Sequence, residues 1–202
     1  MTVPVEFHFD FGSPNAYLSH KLIPAIESRT GSKFSYFPIL LGGVFKLTNN
    51  KSPMEQFAGV MHKREYMSKE TERFRRDNNL TDYASNPHFP VNTVQIMRGA
   101  LVAQNEGYFA AYVNTVFSGM WEQSLKMDDA AVIIRTLDDA GLDGNHILER
   151  TQDPIIKKAL IDNTNLSVER GNFGSPSFFV GEEMFFGKDR LEAVEQEINR
   201  QT

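Results

Sequence analysis

Strand-forming sequence occurs only near the two ends of this 202-residue chain, and that restricts its fold more than any other feature. At the start, Val3, Val5, Phe7, Phe9 and Phe11 alternate with Glu6, His8 and Asp10. A period of two in β-formers predicts a strand over 3–11. Gly12-Ser13-Pro14 stops it, and Ser followed by Pro is a good N-cap and first-turn pair. A helical pattern follows through Tyr17, Leu18, Leu22, Ile23 and Ile26 to Thr30-Gly31, with Pro24 placed to kink it. Residues 33–40 read as a second strand, so the opening is β-α-β with parallel strands and a right-handed crossover. At the other end, 177–180 and 184–186 flank Gly181-Glu182-Glu183 as a hairpin, and 188–200 closes the chain as a helix with Leu191, Val194 and Ile198 inward.

Between these ends the pattern is helical. It is heavily charged over 53–79, interrupted by a Pro-containing loop at 81–93, and resumes over 93–106, 108–120, 128–140, 144–150 and 154–163. The order β-α-β, helical block, β-β-α is that of an α/β thioredoxin-like fold with a large all-helical insertion. Its discontinuous domain comprises 1–44 and 164–202, and the insertion 45–163.

Composition removes whole classes of function. The chain has no cysteine, so disulfides, thiolate nucleophiles, Cys-type zinc sites and dithiol redox couples are excluded, and any sulfur chemistry needs a bound ligand. Net charge is −5, which argues against nucleic acid as a partner. The basic-looking stretch His62–Asp77 holds six Lys or Arg against four acids and reads as a solvated helix face. The five histidines are scattered, which predicts no metal site, and Gly-rich phosphate loops are missing. No apolar run suits a membrane span, and the N-terminus lacks the regions of a signal peptide, so a cytoplasmic location is expected.

Three segments can carry chemistry. Ser13 stands where a strand gives way to a helix, so its hydroxyl faces converging backbone N–H groups and the positive end of a helix dipole. There it can donate to an anion, a ligand's thiolate among them, or simply cap its helix. Gly174-Ser175-Pro176 precedes a strand; a cis Ser175–Pro176 bond would present backbone groups to an extended ligand, and a plain strand-entry turn is the alternative. Asp189, in the first turn of the last helix, can accept from a ligand ammonium or stabilise its own helix. A thioredoxin-like fold gathers these three places at one edge.

The segments Phe11-Gly12-Ser13-Pro14-Asn15-Ala16-Tyr17-Leu18-Ser19, Leu41–Lys46 with Asn50–Pro53, Phe173–Pro176 and Phe186–Arg190 resemble, in order, the 2-hydroxychromene-2-carboxylate isomerase and kappa-class glutathione transferase group. The resemblance runs from about residue 5 to 195 and implies a glutathione site. Ser13 matches the active-site serine that contacts the glutathione sulfur. Asn50 matches a pocket Asn, and Ser175 before Pro176 the residue whose backbone pairs with the cysteinyl part. Lys188 and Asp189 match the pair near the γ-glutamyl end, although Lys188 departs from the small polar residue of kappa-type enzymes; it either helps hold the carboxylate or points to solvent. His88 and Asn92, in the loop aligned with the aromatic-substrate loop, and Lys46 are candidates for a substrate carboxylate or phenol.

The implied activity is glutathione-dependent interconversion of 2-hydroxychromene-2-carboxylate and trans-o-hydroxybenzylidenepyruvate in aromatic catabolism, by a homodimer acting on a small aromatic keto acid. A kappa-class-like transferase would keep the conjugate instead. A non-catalytic peptide-binding module would need no glutathione. A serine hydrolase would need a base beside Ser13, for which His8 is the candidate in sequence.

Overall fold

The computed structural model describes residues 3–202; Met1 and Thr2, which open the segment read above for a leader, lie outside the described residues. Four strands, β1 (Val5–Phe9), β2 (Phe34–Pro38), β3 (Ser177–Val180) and β4 (Glu183–Phe186), form one sheet in the order β2-β1-β3-β4. β2 is parallel to β1, β3 is antiparallel to β1, and β4 is antiparallel to β3. This is the thioredoxin-like order, with helices inserted between β2 and β3.

Helix α1 (Pro14–Thr30) connects the parallel pair. Ser13 caps it by accepting from the Ala16 amide at 3.2 Å, and Gly31 ends it at φ 73°, where a Cβ would be strained. The insertion contains α2 (Leu41–Thr48), α3 (Pro53–Gln56), α4 (Lys63–Asp77), α5 (Val94–Glu106), α6 (Phe109–Trp121), α7 (Ala130–Asp139), α8 (Gly144–Arg150) and α9 (Pro154–Glu169). After a single 3-10 turn at Lys188–Arg190, α10 (Leu191–Gln201) closes the fold. The domain limits expected at 44 and 164 therefore fall inside α2 and α9.

Three elements differ from the sequence pattern. The 53–79 stretch is broken between α3 and α4, where His62 adopts a positive φ of 65°. α9 continues six residues past Asn163, because its polar residues are used: Asn163 Nδ2 donates to Pro38 O and Thr164 Oγ1 accepts from Leu40 N. β1 is shorter than expected and both its faces are covered, whereas alternation alone would leave the polar face wet. Phe9 packs on Phe117 of α6, 5.7 Å between ring centroids, and Phe7 is fully buried, while His8 and Asp10 on the opposite side are 0% and 1% exposed.

The sheet centre is aromatic. Phe7 faces Tyr36 on β2 and Phe178 on β3 in register, edge-on at 4.9 Å and stacked at 5.3 Å. Burying each such ring contributes about 1.5–3 kcal/mol. That packing fixes where β1 ends, and so where the loop carrying Ser13 begins.

Candidate functional site

Ser13 and Ser175 meet directly. The Ser13 hydroxyl donates to Ser175 O at 2.8 Å, and Ser13 is only 4% exposed. The Ser175–Pro176 bond is cis, and the Ser175 amide makes no hydrogen bond among the described residues. A ligand amide can therefore accept from this N–H. It can also donate to Ser175 O, which would release the Ser13 hydroxyl to point at a neighbouring anion. The orphan N–H and the re-aimable hydroxyl suit a peptide-like thiol.

The other predicted cofactor residues attach to the same turn. Asn50 Nδ2 donates to Phe173 O at 2.9 Å, and Gly187 N donates to Pro176 O at 3.0 Å, which places Lys188 and Asp189 next to it. The 3-10 turn that carries them packs on α1. Lys188 does not point to solvent. Its side chain is buried, its Nζ donates to Asp189 Oδ1 at 2.7 Å and lies 4.7 Å from the Phe74 ring centroid of α4, and Asp189 is largely exposed. Ser13, Asn50, Ser175, Pro176, Lys188 and Asp189 thus share one edge of the fold.

The predicted substrate residues are not drawn into that cluster. Lys46 and His88 are exposed without side-chain partners among the described residues, and Asn92 accepts from Val94 N at 3.1 Å at the start of α5. A separate opening lies elsewhere. A cavity of about 430 Å³ runs between α3, α4 and Tyr83, with Met54, Arg64, Met67 and Arg75 among its walls. Tyr83 packs on Tyr17, one turn along α1 from Ser13, and on the core residue Trp121.

One site residue was not read from the sequence. Asp10, the residue directly after β1, is 1% exposed. Its Oδ1 accepts from Gly12 N at 2.8 Å, and its Oδ2 from Leu41 N at 2.8 Å and Thr93 Oγ1 at 3.1 Å. Its own amide donates to Ser175 Oγ at 3.2 Å, and its carbonyl accepts from Ser13 N at 3.0 Å. Burial pushes its carboxyl above the usual range, against the pull of those donors.

The family model described as DSBA-like thioredoxin domain matches residues 4–199. The chain belongs to that family. Within this DSBA-like family it is 28% identical to a 2-hydroxychromene-2-carboxylate isomerase of Sphingobium xenophagum, over 96% of this chain and 97% of the relative. It is 26% identical to glutathione S-transferase kappa 1 of Caenorhabditis elegans, over 94% and 88%. A solved 2-hydroxychromene-2-carboxylate isomerase superposes with a TM-score of 0.84 at 25% identity, covering 98% of this chain and 95% of that one. A probable DsbA oxidoreductase from Streptomyces coelicolor superposes at 0.78 with 15% identity, covering 98% and 89%, a likeness of fold.

A second buried network supports the turn of this DSBA-like domain. His8 Nε2 lies 2.9 Å from Glu6 Oε2, and its Nδ1 lies 2.7 Å from Ser167 Oγ. The carboxylate only accepts, so Nε2 carries the hydrogen and Nδ1 accepts from Ser167. Ser167 in turn accepts from Asn172 Nδ2 at 2.7 Å, and Asn172 Oδ1 accepts from Gly174 N and Ser177 Oγ, both at 2.8 Å. Ser, His and Glu stand here in the order of a hydrolytic triad, but Ser167 and His8 are each 0% exposed, so no substrate reaches them. His8 faces Ser167 rather than Ser13, which removes the base that a Ser13 hydrolase would require.

Burial holds the His8 imidazole down to about 4, against the opposing pull of Glu6. The unfolded chain takes up a proton near the ordinary value of 6.5 that the folded chain refuses until about 4. Stability is therefore intact above 6.5 and falls as pH drops through that window, by about 3 kcal/mol from this group. His20, also pushed down to about 4 by burial, adds in the same direction. Asp10 acts with the opposite sign, since a raised pKa adds stability as pH falls. Urea midpoints at pH 7 and 4.5 should differ accordingly for the wild type and less for His8→Gln; equal pH slopes in the two proteins would remove His8 as the cause.

Proposed function

We propose that this chain is a glutathione-dependent isomerase interconverting 2-hydroxychromene-2-carboxylate and trans-o-hydroxybenzylidenepyruvate. The observation that carries the reading is the cis-Pro turn, where Ser13, Asn50 and Asp189 converge beside an unpaired Ser175 amide in a chain that has no thiol of its own. The near full-length similarity to 2-hydroxychromene-2-carboxylate isomerases supports the choice of reaction.

Ser175 would pair with the cysteinyl backbone of the tripeptide, Asp189 would accept from its γ-glutamyl ammonium, and Lys188 would offset the adjoining carboxylate. Asn50, anchored on Phe173 O, would line the same pocket. When bound, glutathione would supply a thiolate able to add reversibly to the conjugated double bond of the substrate. Ser13 would donate its hydroxyl hydrogen to the sulfur, and the N-terminus of α1 would add a favourable field. The cavity beside Tyr83 has room for an aromatic acid, with Arg64 and Arg75 as cations at its walls; Lys46, His88 and Asn92 remain candidates outside its lining. A cytoplasmic homodimer belongs to the same reading, and the exposed apolar side chains Leu47, Met54, Val60, Met61 and Tyr66 cluster in one segment suited to a subunit contact.

The test is product analysis. Turnover of the keto acid should require glutathione and return all of it free. Accumulation of a glutathione conjugate would replace the isomerase with a transferase, and absence of any glutathione affinity would leave a peptide-binding module.

A further inference from the structure

Three helices begin around Asp10, and each directs a polar group at its carboxylate. From the α1 entry comes the Gly12 amide, from the first residue of α2 the Leu41 amide, and from the N-cap of α5 the Thr93 hydroxyl. Neither α2 nor α5 is capped by its own N-cap side chain. Asp10 does it for α2 from another element, and the Thr93 hydroxyl is spent on Asp10 instead of on its own helix. Gly12 is closely surrounded: a Cβ there would meet Thr93 Cγ2 at 3.0 Å and Asp10 Oδ1 at 3.3 Å, so either side chain would have to give way.

Among the described residues, no cation bonds to this buried acid. On β1, Glu6 and His8 bond to each other; the first turn of α1 carries no acid; Lys46 on α2 is exposed; Arg98 on α5 makes no bond to it; and Lys188 is taken by Asp189. The turn 173–176 has no charged residue. A carboxylate held only by N–H and O–H donors draws on the same converging helix ends that would stabilise an anion beside Ser13, three residues on.

We propose that Asp10 is a positioning residue that clamps three helix starts and the Ser175 turn around Ser13, and that its carboxylate competes for their field with a thiolate bound there. The inference rests on the glutathione reading for the identity of that thiolate. Two unit charges several ångströms apart at an effective dielectric near 20 shift each other's pKa by about one unit or more. Coupling between the two sites is reciprocal by linkage.

The experiment follows the Asp10 carboxyl carbon by NMR across pH in the wild type, alone, with glutathione, and with S-methylglutathione, which occupies the site without an ionisable sulfur. Glutathione should raise the Asp10 midpoint by about one unit and S-methylglutathione should leave it in place. Equal shifts with both, or none with either bound, would overturn the proposal. In parallel, D10N should bind glutathione more weakly, because the clamp loses an acceptor, yet lower the pKa of the bound thiol, read from thiolate absorbance. Weaker binding with that pKa unmoved or raised would make Asp10 merely structural. A wild type that binds neither ligand would fell the glutathione reading and this inference with it; a wild type that binds both while Asp10 stays uncoupled would fell the inference alone.

Discussion

Replacing Ser13 by alanine should raise the pKa of the bound glutathione thiol by about one to two units and cut turnover by about 10²–10³-fold. The first figure follows from the about 1.5–3 kcal/mol of a hydrogen bond to a charged group, and the second from the loss of one preorganised donor at an anionic centre. The folded state should lose only about 0.5–2 kcal/mol, the cost of one N-cap. The asymmetry arises because the hydroxyl has two partners in the protein alone: it accepts from Ala16 N and donates to Ser175 O. Once a ligand amide takes Ser175 O, the donor is free for sulfur. Thiolate absorbance against pH, in wild type and S13A, reads the shift directly. A thiol pKa unchanged in S13A would mean that the hydroxyl never turns toward the sulfur, and its role would shrink to capping.

Asn172→Ala should act in the opposite pattern, costing about 2–4 kcal/mol of stability while leaving the pKa of the bound thiol where it was. Asn172 is 1% exposed and makes three buried bonds, to Ser167, Gly174 and Ser177. Its loss strands the Gly174 amide and opens a void. Ser167 keeps His8, and Ser177 keeps Gly174 O at 3.0 Å. The turn 173–176 then loses its internal brace, so glutathione affinity should fall at least about tenfold as Ser175 and the Phe173 carbonyl drift. Urea unfolding and calorimetry measure the two effects. Unfolding within about 0.5 kcal/mol of wild type would show that the turn is held by its contacts with Ser13 and Asn50 instead.

The strand pattern and the caps of α1 could be read from sequence because their determinants are local: alternation over 5–9, Ser13-Pro14 at one end and Gly31 at the other. Helix α2 could not, because Gly42-Gly43 argues against a helix and its N-terminal cap comes from Asp10, thirty-one residues earlier. The continuation of α9 was hidden for a similar reason, its polar residues being employed on the β2 end. In the site, Ser13, Ser175 and Asp189 stood out as turn and helix-start residues, whereas Asn50 and Lys188 came through resemblance. In the sequence, Asp10 and His8 are simply the polar residues that alternate with the strand's apolar ones. Only the tertiary arrangement, with α9 over one side of β1, makes them buried groups with partners more than 80 residues away.

The position of β3 has a consequence for how the protein is made. It lies against β1, yet about 170 residues of chain separate their partners, Val5 and Val180 among them. A ribosome delivers β1, α1 and β2 early, and their parallel pairing can form with one flank of β1 still bare. Asn172, Ser175 and Asp189 emerge only near the end of translation. Until then the nascent chain presents an unpaired aromatic strand edge, the kind of surface that chaperones cover and that aggregation exploits. On the glutathione reading, competence to hold a thiol would come only with the final stretch of synthesis, and a product truncated before Asn172 would be a client for quality control.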